Sequence, residues 1–184
     1  ISLDRLKQLL DKGEEIARYA WDHYEDLAAR KKTYTLYGPY DYGIGAGIPG
    51  NFIPQRSRKL TQQTRRKHYV IYDLDDDFKL LRAIAVRDYT KVECIYHCFE
   101  SDGVLYAYSF RGTGKKPFKE EVIAVCNVDQ KPQYVAFMRP KAVLIQFFEH
   151  VSTEKMMVTT YSYTPQAKTT AHGYPVDHSA PIGS

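Results

Sequence analysis

Between residues 66 and 164 apolar and polar positions alternate in short runs, each closed by a polar or Gly/Pro break. The runs cover 69–74, 78–89, 91–100, 104–110, 121–128, 133–139, 142–151 and 156–163. A period of two places alternate side chains on opposite faces of a strand. In the first run Val70, Tyr72 and Leu74 share one face, and Tyr69 and Ile71 take the other. Ser101-Asp102-Gly103 is the clearest hairpin signal, because Asp-Gly supplies two residues that tolerate positive φ. No connection in this region leaves room for a crossover helix, which disfavours parallel pairing and predicts an antiparallel meander. A sheet of about seven to eight such strands should curve.

Ahead of the sheet the period changes. Leu3, Leu6, Leu9, Leu10, Ile16, Ala20, Tyr24 and Leu27 recur at three- and four-residue steps, one apolar face of a helix over about 3–31. Ser2 stands at the N-cap position, with Asp4 in the first turn and Arg30, Lys31 and Lys32 at the far end. Glu14 with Arg18, and Asp26 with Arg30, have the favourable i,i+4 order. Gly13 is the expected weak point, where the helix could divide.

The stretch 33–54 holds five glycines and three prolines interleaved with Tyr34, Tyr37, Tyr40, Tyr42 and Phe52. It is expected to form an aromatic surface loop without a regular element. A basic connector over 55–68 carries Arg56, Arg58, Lys59, Arg65, Arg66 and Lys67. The Pro- and Gly-bearing stretch 165–184 reads as an extended tail. The fold class is therefore α+β in a single domain, 1–184. A helix over 1–32 packs on a curved, mainly antiparallel meander at 66–164; the loop and connector fill 33–65, and the tail follows.

Composition refines this picture in three places. The 184 residues include 16 Tyr and a single Trp, which suits half-buried sheet faces and contact surfaces. The formal net charge of +4 is too small for a protein that coats nucleic acid, so nucleic acid is an unlikely partner. Three cysteines give no disulfide framework and fit a reducing, cytoplasmic compartment. No apolar run approaches the 18 residues a membrane helix needs, and the N-terminal stretch has no signal-peptide core. Oligomeric state is not legible in the sequence.

Several motifs have the letters of a chemistry without its physical setting. Gly45, Gly47 and Gly50 satisfy G-x-G-x-x-G, but no buried strand precedes them, and Pro49 and Pro54 oppose a helix after them. Asp73, Asp75 and Asp77 open like a calcium loop, but Phe78 and Ile84 occupy the positions that need Gly and Glu. Cys94 and Cys98 share a face of one strand, about 13 Å apart, too far to bind one zinc ion, and His97 points the other way. The cysteines read as buried thiols. Asp177-His178-Ser179 are adjacent in an extended stretch and cannot align as a triad. No catalytic residue, metal ligand or cofactor is assigned. A lone strand histidine such as His97 is expected at the surface or with its hydrogen bonds satisfied.

What remains is a tyrosine-rich sheet with an acidic corner, a combination suited to a protein-binding surface. The helix-plus-meander style also carries Phe147-Phe148-Glu149, Met156-Met157-Val158-Thr159-Thr160-Tyr161 and His172-Gly173-Tyr174-Pro175-Val176-Asp177. In this style the chain resembles immunity proteins of bacterial polymorphic-toxin systems. The resemblance implies a role alone: a small cytoplasmic protein that binds and neutralises a cognate toxin domain by occlusion. No site residue is carried over from it. From the residues themselves, Asp73, Asp75, Asp76 and Asp77 with Tyr37, Tyr40 and Tyr42 are the candidate partner-binding set. The basic balance disfavours a basic nuclease as target unless it meets that local acidic corner. Two other classes stay open. One is a small enzyme with His97, Glu93 or Glu149 as acid/base groups in the concave sheet. The other is a nucleic-acid-binding or toxin domain that uses the basic stretch 56–67.

Overall fold

The structure, a computed structural model, describes residues 1–39, 66–129, 131–152, 155–165 and 176–181. Two helices, α1 (Leu3–Asp22) and α2 (Tyr24–Ala29), precede the sheet. Ten strands follow: β1 (Tyr34–Pro39), β2 (Tyr69–Leu74), β3 (Leu80–Arg87), β4 (Lys91–Ser101), β5 (Val104–Arg111), β6 (Pro117–Val128), β7 (Lys131–Arg139), β8 (Ala142–His150), β9 (Lys155–Tyr163) and β10 (Val176–Pro181). Their spatial order equals their chain order, every neighbouring pair is antiparallel, and the sheet does not close. The predicted helix and antiparallel meander are both present.

The eight predicted strands are β2 to β9. The sheet gains one more at each end. β1 forms inside the stretch expected to be irregular, because Tyr34, Thr35, Leu36 and Tyr37 pair with Leu74, Asp73, Tyr72 and Ile71. Gly38 and Pro39 are tolerated there because β1 is an edge strand, and a proline facing away from the ladder sacrifices no bond. β10 forms within the expected tail and pairs with β9 from Val176↔Thr160 to Pro181↔Lys155. The Asp102-Gly103 hairpin is as predicted: both residues have positive φ, 52° and 74°.

Helix α1 starts where the sequence places it, with the Ser2 hydroxyl accepting from the Arg5 amide at 3.2 Å. It ends at His23, not at Gly13. Gly13 is buried because α1 lies directly on the sheet: a Cβ there would sit 2.6 Å from Cβ of Met138 on β7. At the break, the His23 ring donates from Nδ1 to the Tyr19 carbonyl at 3.0 Å. The anticipated Glu14–Arg18 and Asp26–Arg30 pairs do not form among the described residues; Lys12–Glu15 forms instead, at 3.3 Å. Arg30 turns inward and donates to the carbonyls of Leu27, Cys98 and Leu81, the last two at 2.8 Å. Two of these charge-assisted bonds pin the end of α2 to β3 and β4, and the third caps α2 itself, a stronger use of the guanidinium than an exposed pair.

Side-chain alternation divides the core into two layers. The helix side joins Leu6, Leu9, Ile16, Ala20 and Leu27 to Tyr106, Tyr108, Phe110, Val122, Met138 and Ile145. The other layer runs continuously from Leu36 on β1 through Val70, Tyr72, Cys94, Cys98 and Val125 to Phe137 on β7. Each fully buried Leu, Ile, Val or Phe contributes about 1.5–3 kcal/mol, so both layers stabilise the sheet.

Candidate functional site

The acidic corner lies at the turn between β2 and β3. The Asp75 amide donates to the Lys79 carbonyl at 2.9 Å, and the Lys79 amide donates back to Asp75 Oδ1 at 2.8 Å. This closes a tight loop that points Asp76 and Asp77 into solvent. The carboxylates of Asp75, Asp76 and Asp77 lie within 4.8 Å of one another. Phe78 completes the loop with φ of 64°. A bulky residue in the left-handed region costs roughly 1–2 kcal/mol, and glycine or asparagine is the usual occupant. The Phe78 ring is nonetheless 44% exposed, 5.5 Å from the ring of Tyr34, itself 48% exposed on β1. The tip thus carries three carboxylates and two exposed aromatic rings.

The candidate set from sequence is only partly gathered here. Asp75, Asp76 and Asp77 belong to the tip. Asp73 does not: it is buried between Lys32 at 3.5 Å and Arg82 at 3.4 Å, because its position on β2 faces the end of α2. Arg82 also donates to the carbonyls of Arg30 and Leu27, so Asp73 belongs to the clamp that holds α2. Tyr37 sits in β1 with its ring 6.3 Å from that of Tyr69, on the strand face opposite to Tyr34. Tyr40 and Tyr42 lie outside the described residues, as does the basic stretch as far as Arg65. Sequence reasoning missed Tyr34 and Phe78. The available signal was an aromatic residue directly after an Asp run that must turn.

The acid/base candidates are not brought together. Glu93 is held by Arg87 at 2.8 Å. His97, four residues further along β4, is about 13 Å away. Glu149 is on β8 and faces solvent. His97 departs from its expected setting: it is buried to 3% exposure on the helix side, edge-on to Tyr24 and beside Phe110. Its Nδ1 has no hydrogen-bond partner among the described residues. Burial, reinforced by Arg82 and Arg30, lowers its pKa to about 4, so the imidazole is neutral near pH 7. Cys94 and Cys98 lie in the opposite layer as free, fully buried thiols. Burial pushes both up to about 12, which leaves them protonated and unreactive.

Family models, curated proteins and solved structures were each compared with the chain, and none matches. No helix among the described residues is long and apolar enough to cross a membrane.

Two grooves flank the sheet at the β7–β8 hairpin. One, of about 250 Å³, lies between α1 and the sheet, with Glu14, Arg18, Tyr108 and Glu120 on its walls. The second, of about 310 Å³, is bordered by Phe137, Leu144 and the Glu121–Arg139 ion pair at 2.6 Å. The paired Glu121 and Arg139 satisfy one another. Burial, with Glu120 adding to it, raises the Tyr108 phenol above its ordinary range and keeps it neutral. None of the acid/base candidates His97, Glu93 and Glu149 lines either groove.

Proposed function

We propose that this chain is a protein-binding module, an immunity-type cytoplasmic protein that neutralises a cognate bacterial toxin domain by covering it. The carrying observation is the β2–β3 tip: Phe78 held exposed in a costly left-handed conformation, against Tyr34, beside three carboxylates. Strain retained at a surface position is a mark of function, because nothing in the fold itself requires a ring there. Exposed aromatics supply the anchor of a protein interface, and charge around them sets orientation and on-rate. The tip suits a target with a basic cleft, in which the rings dock and the aspartates meet Lys or Arg.

The test is co-expression with the domain encoded beside its gene, followed by calorimetry on the purified pair. A stable one-to-one complex is expected. Phe78→Gly removes the ring and suits the backbone, so it should leave the urea midpoint unchanged or raised. The same variant should weaken the complex tenfold or more. Asp76→Lys should slow association, most at low salt, and so flatten its salt dependence. A complex that forms equally well with Phe78→Gly would remove this tip from the interface, and failure to form any complex would remove the immunity role.

A further inference from the structure

In a meander every second hairpin emerges at the same end of the sheet. The end opposite the acidic tip carries the β3–β4 turn at 88–90, the β5–β6 loop at 112–116 and the β7–β8 turn at 140–141. Each connection or its flank is tied to a neighbouring segment. The Tyr89 amide donates to the Lys67 carbonyl, the Gly112 amide donates to the Glu93 carbonyl at 3.1 Å, and Arg139 reaches back to Glu121 on β6. Gly112 permits the second contact, because a Cβ there would lie 2.5 Å from the Val92 carbonyl oxygen.

Charge at this end is one-sided. The carboxylates of Asp88, Glu93 and Glu121 are already matched by Lys67, Arg87 and Arg139. Lys91, Arg111, Lys115, Lys116, Lys119 and Lys141 carry no ion pair among the described residues, and they outnumber the unpaired carboxylates near them, Glu120 with Glu14 and Asp22 of α1. Aromatic faces stand among these cations. Tyr89 is 58% exposed, with φ of 68°, the second aromatic held in the left-handed region at a turn. Trp21 is 42% exposed at the end of α1, with the Lys115 ammonium 4.6 Å from its ring centroid. Arg111 and Lys119 lie 5.6 and 5.5 Å from the Phe118 ring on the other side of the same loop.

We infer that this end of the sheet is a second binding surface, for single-stranded nucleic acid. Cations spaced along three neighbouring connections track a phosphate backbone, and exposed aromatic faces beside them stack unpaired bases. Trp21 already stacks on Phe110 at 6.4 Å between ring centroids, and Tyr89 offers a ring face beside the cations, the pairing of charge and stacking that single strands use. Neighbouring strands are about 4.8 Å apart, so the three connections span about 20 Å, enough for a few consecutive phosphates. This surface is independent of the toxin-binding reading: it lies at the other end of the strands and uses none of the same residues.

The test is fluorescence anisotropy of a labelled oligothymidylate of about 15 nucleotides, titrated with the protein at about 20 to 200 mM salt. Saturable binding at low salt is expected, with a log–log salt slope of about −2 to −3, as for three or four phosphates at −0.7 each. Lys115→Glu with Lys116→Glu should weaken binding more than tenfold and flatten the slope. Tyr89→Ala and Trp21→Ala should each weaken it about tenfold at unchanged slope. Circular dichroism and urea midpoints confirm that each variant is folded. No saturation at about 100 μM protein in the lowest salt overturns the inference. So does binding that ignores the double lysine change. Wild-type affinity in both aromatic variants, with heparin competing on charge alone, also overturns it and leaves a generic polyanion or acidic-protein surface.

Discussion

His97 shows how far a single residue can be set by its neighbours. On sequence it is one of six scattered histidines; in the fold it is sealed between α2 and β4 with two guanidiniums nearby. Its folded pKa of about 4 lies below the ordinary 6.5, so the native state binds fewer protons than the unfolded chain between those values. Stability from this source is complete above pH 6.5. It falls as the pH drops through the window and levels off below 4. A shift of that size corresponds to about 3 kcal/mol at most. Chemical denaturation at pH 7.0, 5.5 and 4.0 should show the fall, and His97→Phe should flatten it within this window. An equal slope in wild type and variant would assign the pH dependence to other groups. The burial of Cys94 and Cys98 and the opposite facing of His97 were legible from a period of two. The Arg82–Asp73 clamp was not, because it depends on where α2 ends, and no local pattern states that.

At the scale of elements, α1 was legible from periodicity and its cap, but the role of Gly13 was inverted. Helix propensity marks glycine as a weak point; packing makes it the point of closest approach to β7. Gly13→Ala should therefore destabilise, although alanine is the better helix former. The overpacking against Met138 should cost about 1–3 kcal/mol, visible as a lower urea midpoint, and in a double-mutant cycle Met138→Gly, which removes the clashing Cβ, should reduce the penalty of Gly13→Ala. A raised midpoint in Gly13→Ala would show that α1 can lift off the sheet without penalty. β1 and β10 escaped detection for a different reason. Both are edge strands rich in turn-forming residues, and each depends on a ladder partner far away in sequence: Tyr34 pairs with Leu74, and Val176 with Thr160. The tip was half legible. The Asp run announced a turn, but the exposed Phe78–Tyr34 pair required β1 to be known.

At the scale of the whole molecule, an unclosed meander is held most firmly at its middle. β5, β6 and β7 have a neighbour on both sides and α1 above them; β1 and β10 have one neighbour each. Amide exchange should accordingly be slowest in β5–β7 and fastest in β1 and β10, graded outward. Uniform protection across all ten strands would indicate that the sheet opens only as a unit.

The alternation of hairpins has an electrical consequence. Aspartates occupy the turns at one end, at 75–77, 102 and 129, and unpaired lysines and Arg111 crowd those at the other. Among the described residues, turns so arranged contribute a dipole component along the strands. In the field of a highly charged surface the molecule rotates before it touches, so that contacts are pre-oriented, and the sign of the surface decides which end arrives first. Added salt shortens the distance over which that selection operates, to about 10 Å at 0.1 M.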